Sequence, residues 1–233
     1  MSELNSLKIV GDGHISAGEY DNIKIIGEAQ GIGRFTCNTF TITGTCNIKE
    51  EASFKKMKIV GEFLSEDVLI GENLKIVGDL TVEKDLKVSK IKVIGSSKVA
   101  NNLSFNEINV VGELYVTKNC EGTILESSGK LLIDGLLSAD IIKINPRNIS
   151  IINEIGGCEI TIKHKGINPF NKGKVRSNII EGDKIILQNT DCKIVRGHNI
   201  TILSGRNIDK VEYTGTLTID KKSKVGEEIC LKN

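Results

Sequence analysis

The sequence predicts an all-β fold: a three-sided parallel β-helix, or β-solenoid, with about 17 residues per turn. Two observations lead there. Apolar runs ending in glycine recur seven times, as LKIVG, IKIIG, FTITG, MKIVG, LKIVG, IKVIG and INVVG, closing at Gly11, Gly27, Gly44, Gly61, Gly78, Gly95 and Gly112. The first step between those glycines is 16 and every later one is 17. Such a period is too short for a two-helix repeat and too long for one hairpin strand, so each repeat should be one turn of a coil stacked on its neighbours.

The second observation is the pattern inside a turn. Gly78 to Gly95 reads GDLTVEKDLKVSKIKVIG, with three apolar pairs, Leu80 with Val82, Leu86 with Val88 and Ile91 with Val93. One outward residue, Thr81, Lys87 or Lys92, separates the members of each pair, which is the period-two signature of a short strand with one buried face. Three strands per turn make a triangular cross-section. The corners are expected at Glu83 to Asp85, at Ser89 and Lys90, and at Gly95, where a residue without a Cβ can take the positive φ of a sharp bend.

Stacking places equivalent residues about 4.8 Å apart. Two residues before each glycine stand Ile9, Ile25, Ile42, Ile59, Ile76, Val93 and Val110, a β-branched column suited to the interior. Three before each glycine stand Lys8, Lys24, Thr41, Lys58, Lys75, Lys92 and Asn109; immediately after come Asp12, Glu28, Thr45, Glu62, Asp79, Ser96 and Glu113. The lysines read either as a basic stripe for a polyanion or membrane surface, or as a solvated face. The acids around the corner favour the second, with exposed pairs each worth well under ~1 kcal/mol.

The 233 residues can bury a sizeable core as one elongated unit, with only two prolines to interrupt strands. Lysine plus arginine, 31, nearly balances aspartate plus glutamate, 30, so no global field argues for nucleic acid. The opening MSELNSLKIV has neither a basic start before a long apolar run nor anything near the ~20 apolar residues of a membrane span. The expected location is the cytoplasm, with attachment to the inner face of the membrane left open. Cys37, Cys46, Cys120, Cys158, Cys192 and Cys230 form no CxxC pair and are expected to be reduced and packed in or near the core. His14, His164 and His198 lie far apart with no partner at ligand spacing, so neither metal nor cofactor is expected.

After Gly112 the motif weakens in step: Gly129 follows by 17, and Pro146 takes the next corner. Residues 163–178, KHKGINPFNKGKVRSN, break it with Pro169 and no acid, and are expected to form a loop or insertion outside the coil. Its charges, Lys163, Lys165, Lys172, Lys174 and Arg176, read as a contact for an anionic surface or as an ordinary solvated excursion. The beat then returns, with Ile185, Ile202 and Ile219 spaced by 17, as are Ile200 with Leu217 and Ile194 with Val211. Residues 1–162 are therefore expected to form the first turns and 179–233 further turns, either on the same axis or as a second stack.

Read together, these repeats resemble the bactofilins, bacterial polymer-forming cytoskeletal proteins. The resemblance rests on the LKIVG and IKVIG corners between Leu7 and Gly112, and on KIILQNTDCKIVRGHNITILSGRNIDKVEYTG, residues 184–215, similar to the C-terminal part of longer, two-part members in Gram-positive bacteria. It implies a right-handed β-helix and a non-enzymatic scaffold that assembles end to end into non-polar filaments without nucleotide. It also implies a role in positioning partners for cell shape, envelope growth or motility. The implied partners are further copies of the chain, a second similar protein, and a peripheral membrane or envelope partner; nucleic acid is not among them.

A physical argument reaches the same assembly. The end turns of a solenoid each leave a row of backbone N–H and C=O groups to be paired or capped. No amphipathic helix is expected before Leu7 or after Cys230, so Leu7, Ile9, Ile15 and Tyr20 at one end and Leu217, Ile219, Val225 and Ile229 at the other are candidate assembly surfaces. The same residues could be ordinary core under a folded-over cap. Two other functions compete with this one. An enzyme is not expected, because 17-residue turns lack the six-residue rhythm of acyltransferase β-helices, and adjacent acids such as Glu66 and Asp67, or Glu227 and Glu228, read as solvated corners. The alternative is a monomeric or dimeric binding module that docks a partner or anionic surface through the basic loop.

Overall fold

The computed structural model describes residues 4–164, 173–204 and 207–231. Among them every regular element is a strand and no helix occurs; the chain is a parallel β-solenoid of about 13 turns, with about 17 residues per turn. It divides into two compact units, Met1–Lys118 and Asn119–Asn233.

In the first unit β1 (Asn5–Ile15), β2 (Gly18–Gly31) and β3 (Phe35–Ile48) are long strands that run around corners. Later turns each divide into an eight-residue and a four-residue strand: β4 (Ala52–Ile59), β5 (Glu62–Ser65), β6 (Leu69–Ile76), β7 (Asp79–Val82), β8 (Leu86–Val93), β9 (Ser96–Val99), β10 (Leu103–Val110) and β11 (Glu113–Val116). The eight-residue strands stack as β4, β6, β8 and β10 and the four-residue strands as β5, β7, β9 and β11, all parallel. In β8 and β9 the inward residues are Leu86 and Val88, then Ile91 and Val93, then Ser97 and Val99, two from each side of a triangle. The corner at Ser89 and Lys90 is a bend inside β8 rather than a break, because the strand keeps its ladders to β6 and β10 on either side of it.

The interior column stacks in register: Ile25 on Ile42, then Ile59, Ile76, Val93 and Val110, each fully buried. Branching at Cβ restricts each side chain to few rotamers, so little entropy is lost in an unbroken ladder. In the early turns Phe35, Phe40 and Phe63 pack edge to face, with centroids 5.6 and 5.8 Å apart.

The corner glycines have a different cause from the one expected. Gly11, Gly27 and Gly44 have positive φ, but Gly61, Gly78, Gly95 and Gly112 do not. What all the later ones share is space: a Cβ on Gly27, Gly44, Gly61, Gly78, Gly95 or Gly112 would run into the carbonyl oxygen of the glycine one turn earlier. The column is glycine because backbone lies directly on backbone there.

The second unit comprises β12 (Cys120–Ser127), β13 (Lys130–Ile144), β14 (Ile149–Ile162), β15 (Lys174–Leu187), β16 (Thr190–Ile202), β17 (Asn207–Ile219) and β18 (Lys224–Cys230). Each pairs in parallel with the next. The turns after the insertion lie directly on those before it, with Ile160 beside Ile185, Ile185 beside Ile200 and Ile200 beside Leu217. Of the two arrangements the sequence left open, this stacking continues one column within the unit. The insertion is also shorter than expected. Residues 174–178 belong to β15, held there by buried Val175 and its backbone bond to Asn189.

Candidate functional site

At the C-terminal end, columns that are fully buried elsewhere come to the surface. Leu217 and Ile219 stand in register on Ile200 and Ile202, which are buried, yet both are half-buried because β18 covers only the first part of β17. Val225 and Ile229 of β18 are half-buried as well. Ile229 departs from its expected role: the register sets it on the outward column of Arg196 and Glu212, and the interior place above Val211 falls to the acid Glu228. An apolar end that also carries a carboxylate is a selective surface, since a misplaced neighbour would bury that charge without a partner.

The N-terminal end is more closed than the sequence suggested. Leu7 and Tyr20 are half-buried, the Tyr20 hydroxyl donating to the Ser16 carbonyl at 3.1 Å. Ile9 and Ile15, expected on the assembly surface, are covered, with exposures of 7% and 0%. Gly13 passes so close over Ile9 that a Cβ there would lie 2.8 Å from Ile9 Cγ2. Candidate contacts at this end therefore reduce to Leu7 and Tyr20. In the backbone, the registers of β1 and β18 are with β2 and β17, and no further strand among the described residues packs on either. Among the described residues, β1 and β18 thus each leave one parallel edge without a strand on it.

The basic residues are not one free cluster. Lys165 and Lys172 lie outside the described residues. Lys163 follows β14 and is exposed. Lys174 and Arg176, expected in a loop, sit on β15, where Asp191 takes both: Lys174 Nζ at 3.1 Å and Arg176 Nε at 3.9 Å. With its side chain 13% exposed, Lys174 is committed to that carboxylate and not to an outside surface.

An open groove of about 710 Å³ runs along the second unit over the Gly157, Gly182 and Gly197 column, where missing side chains leave the space. Arg196, His198, Glu212 and Thr214 of its polar lining are engaged within the chain. Glu212 accepts from Lys210 Nζ at 2.8 Å and from Arg196 Nε at 2.5 Å, which holds its carboxyl below the ordinary range and raises both cations. His198 Nδ1 lies 2.9 Å from Thr214 Oγ1. Among the described residues no three His, Cys, Asp or Glu side chains come together as a metal site. Cys37, Cys46, Cys120 and Cys192 are buried and Cys158 and Cys230 exposed.

The sequence reading passed over one column. The residue immediately before each corner glycine points outward, and it is apolar in six of seven turns: Val10, Ile26, Val60, Val77, Ile94 and Val111. Strict alternation from the buried position next to it was the signal that would have found this ridge.

No helix among the described residues is long and apolar enough to cross a membrane. The chain matches no protein-family profile and no solved structure. It is similar to two Bacillus subtilis (strain 168) proteins: the "Uncharacterized protein YhbF", 43% identical over 235 residues and 99% of each chain, and the "Uncharacterized protein YhbE", 36% identical over 100 residues, 40% of this chain and 42% of that one. Identity of that degree over the full YhbF match decides kinship: the chain belongs to the same family as YhbF.

Proposed function

We propose that this protein is a bactofilin-like, non-enzymatic scaffold that assembles end to end into filaments without nucleotide and positions partner proteins in cell shape, envelope or motility processes. The carrying observation is the unfinished C-terminal end, where Leu217, Ile219 and Val225 continue buried columns but stand half-exposed above an unpaired strand edge. Stacking the end of another copy there would cover those side chains and pair the open edge. On this reading the polymer is cytoplasmic, built from copies of the chain, with a second similar protein and a peripheral membrane or envelope protein as further partners.

The test compares polymer pelleting of the unmodified protein with two variants. Leu217→Lys with Ile219→Lys should abolish pelleting while leaving the β-sheet spectrum intact, and Lys163→Glu with Arg176→Glu should not. The reverse dependence would favour the monomeric or dimeric binding module that docks through its basic residues.

A further inference from the structure

The apolar ridge of the first unit has no role in folding that would require it. Val10, Ile26, Val60, Val77, Ile94 and Val111 are between 39% and 67% exposed. They form one line: Val10 stands in register with Ile26, and Val60, Val77, Ile94 and Val111 donate backbone N–H bonds of 2.8 to 2.9 Å to the carbonyls of Ile42, Ile59, Ile76 and Val93 one turn earlier. A threonine or lysine would serve the outward face of a strand as well, and Thr43 does so in the remaining turn. An exposed apolar line broken only at Thr43 is a docking feature more than a folding one.

Its flanks say what covers it. Two residues before the ridge position run Lys8, Lys24, Lys58, Lys75 and Lys92; two after it run Asp12, Glu28, Glu62, Asp79 and Glu113. Elsewhere in the unit, exposed charges one turn apart do pair, as Lys84 with Asp67 at 2.8 Å and Lys90 with Glu107 at 3.2 Å. Among the described residues, neither these five lysines nor Asp12, Glu28, Glu62 and Asp79 have an ion pair within the chain. In four turns the charges match, Lys8 with Asp12, Lys24 with Glu28, Lys58 with Glu62 and Lys75 with Asp79, whereas Lys92 goes with Ser96 and Glu113 with Asn109. The turn that carries Thr43 on the ridge has Thr41 and Thr45 on its flanks, with no charge at all.

Consider two such ridges face to face. A two-fold axis parallel to the solenoid axis keeps every turn level with itself and exchanges left for right, so Lys8, Lys24, Lys58 and Lys75 of one copy meet the acids of the other and the threonine turn meets itself. An antiparallel pair would set lysine on lysine and acid on acid. We propose that two copies of this chain associate side by side through the ridge, parallel and in register. The contact uses the flank of the first unit and is independent of assembly through the ends. A line of about seven turns is roughly 30 Å long, and one side chain wide it falls short of the ~800 Å² per partner of a stable complex. The pair is therefore weak when isolated and weakened further by salt.

Disulfide trapping tests it in the full-length chain carrying Cys158→Ser and Cys230→Ser. Thr43→Cys lies mid-unit, away from either end, and should give a symmetric disulfide-linked dimer on oxidation. Mixing size-tagged Val10→Cys with untagged Val111→Cys protein should give like-with-like dimers and no mixed ones. Lys58→Glu with Lys75→Glu should cut the Thr43→Cys dimer yield at least several-fold, and adding Glu62→Lys and Asp79→Lys to the same chain should restore it. Mixed Val10–Val111 dimers, or no Thr43→Cys dimer at any protein concentration, would overturn the proposal. Loss of binding to phosphatidylglycerol vesicles on the lysine reversal, with no dimer from the unreversed protein, would also overturn it and assign the ridge to a membrane.

Discussion

The carbonyl oxygen of Gly61 occupies the space into which a Cβ on Gly78 would project. Because the same holds up the column, the corner is backbone packed on backbone, and a methyl group there must push two turns apart. Gly78→Ala should lower stability by about 1 to 3 kcal/mol, as overpacking does. Gly11→Ala meets open space and bears only a φ of 84°, so it should cost about 1 kcal/mol. Urea unfolding followed by circular dichroism separates the two; a loss at Gly78 no greater than that at Gly11 would contradict backbone contact as the cause of the glycine column.

Ile59 lies between Ile42 and Ile76, fully buried. Ile59→Val removes one methylene and should cost about 1 kcal/mol. Ile59→Asp places an unpaired charge in the column and should abolish the cooperative transition at neutral pH. A cooperative melt for the aspartate variant would show that the column is not the continuous core described.

The fold was legible wherever one residue decided a position. Each of the pairs Leu80 with Val82, Leu86 with Val88 and Ile91 with Val93 is buried as period-two alternation demands. What was hidden depends on neighbours outside the repeat. Ile9 and Ile15 look like end residues in sequence, but their burial comes from how the first turn bends, as at Gly13 over Ile9. Lys174 and Arg176 look like loop charges until register brings Asp191 beside them. Ile229 reads as core by composition, yet the register of β18 gives that column to Glu228. The ridge could have been found from alternation alone, because every buried residue before a corner implies an outward one after it.

Burial raises the thiols of Cys37, Cys46 and Cys192 to about 12, and that of Cys120 in the same direction. The thiolate is the reactive form, so at neutral pH a thiol reagent should modify only Cys158 and Cys230 in the folded protein. The other four should react once denaturant is added. Rapid modification of Cys46 under native conditions would contradict its placement in the core.

Lys210, followed by Arg196, holds the Glu212 carboxyl below its ordinary value of 4.5. The folded state therefore binds that proton less readily than the unfolded chain does. The stabilisation is complete above about pH 4.5 and is lost as pH falls through the lowered folded value. Glu212→Gln should be less stable than the unmodified protein at neutral pH, with the difference shrinking in urea titrations as the pH falls below the ordinary carboxyl value of 4.5. A difference that stayed constant with pH would remove the charge from the explanation.

Negative-stain electron microscopy of the purified protein, across salt and protein concentration and with no nucleotide added, tests the scaffold account most directly. Filaments are the predicted result, and they should disappear in the Leu217→Lys and Ile219→Lys variant. Discrete particles at every concentration, unchanged by those substitutions, would contradict end-to-end assembly.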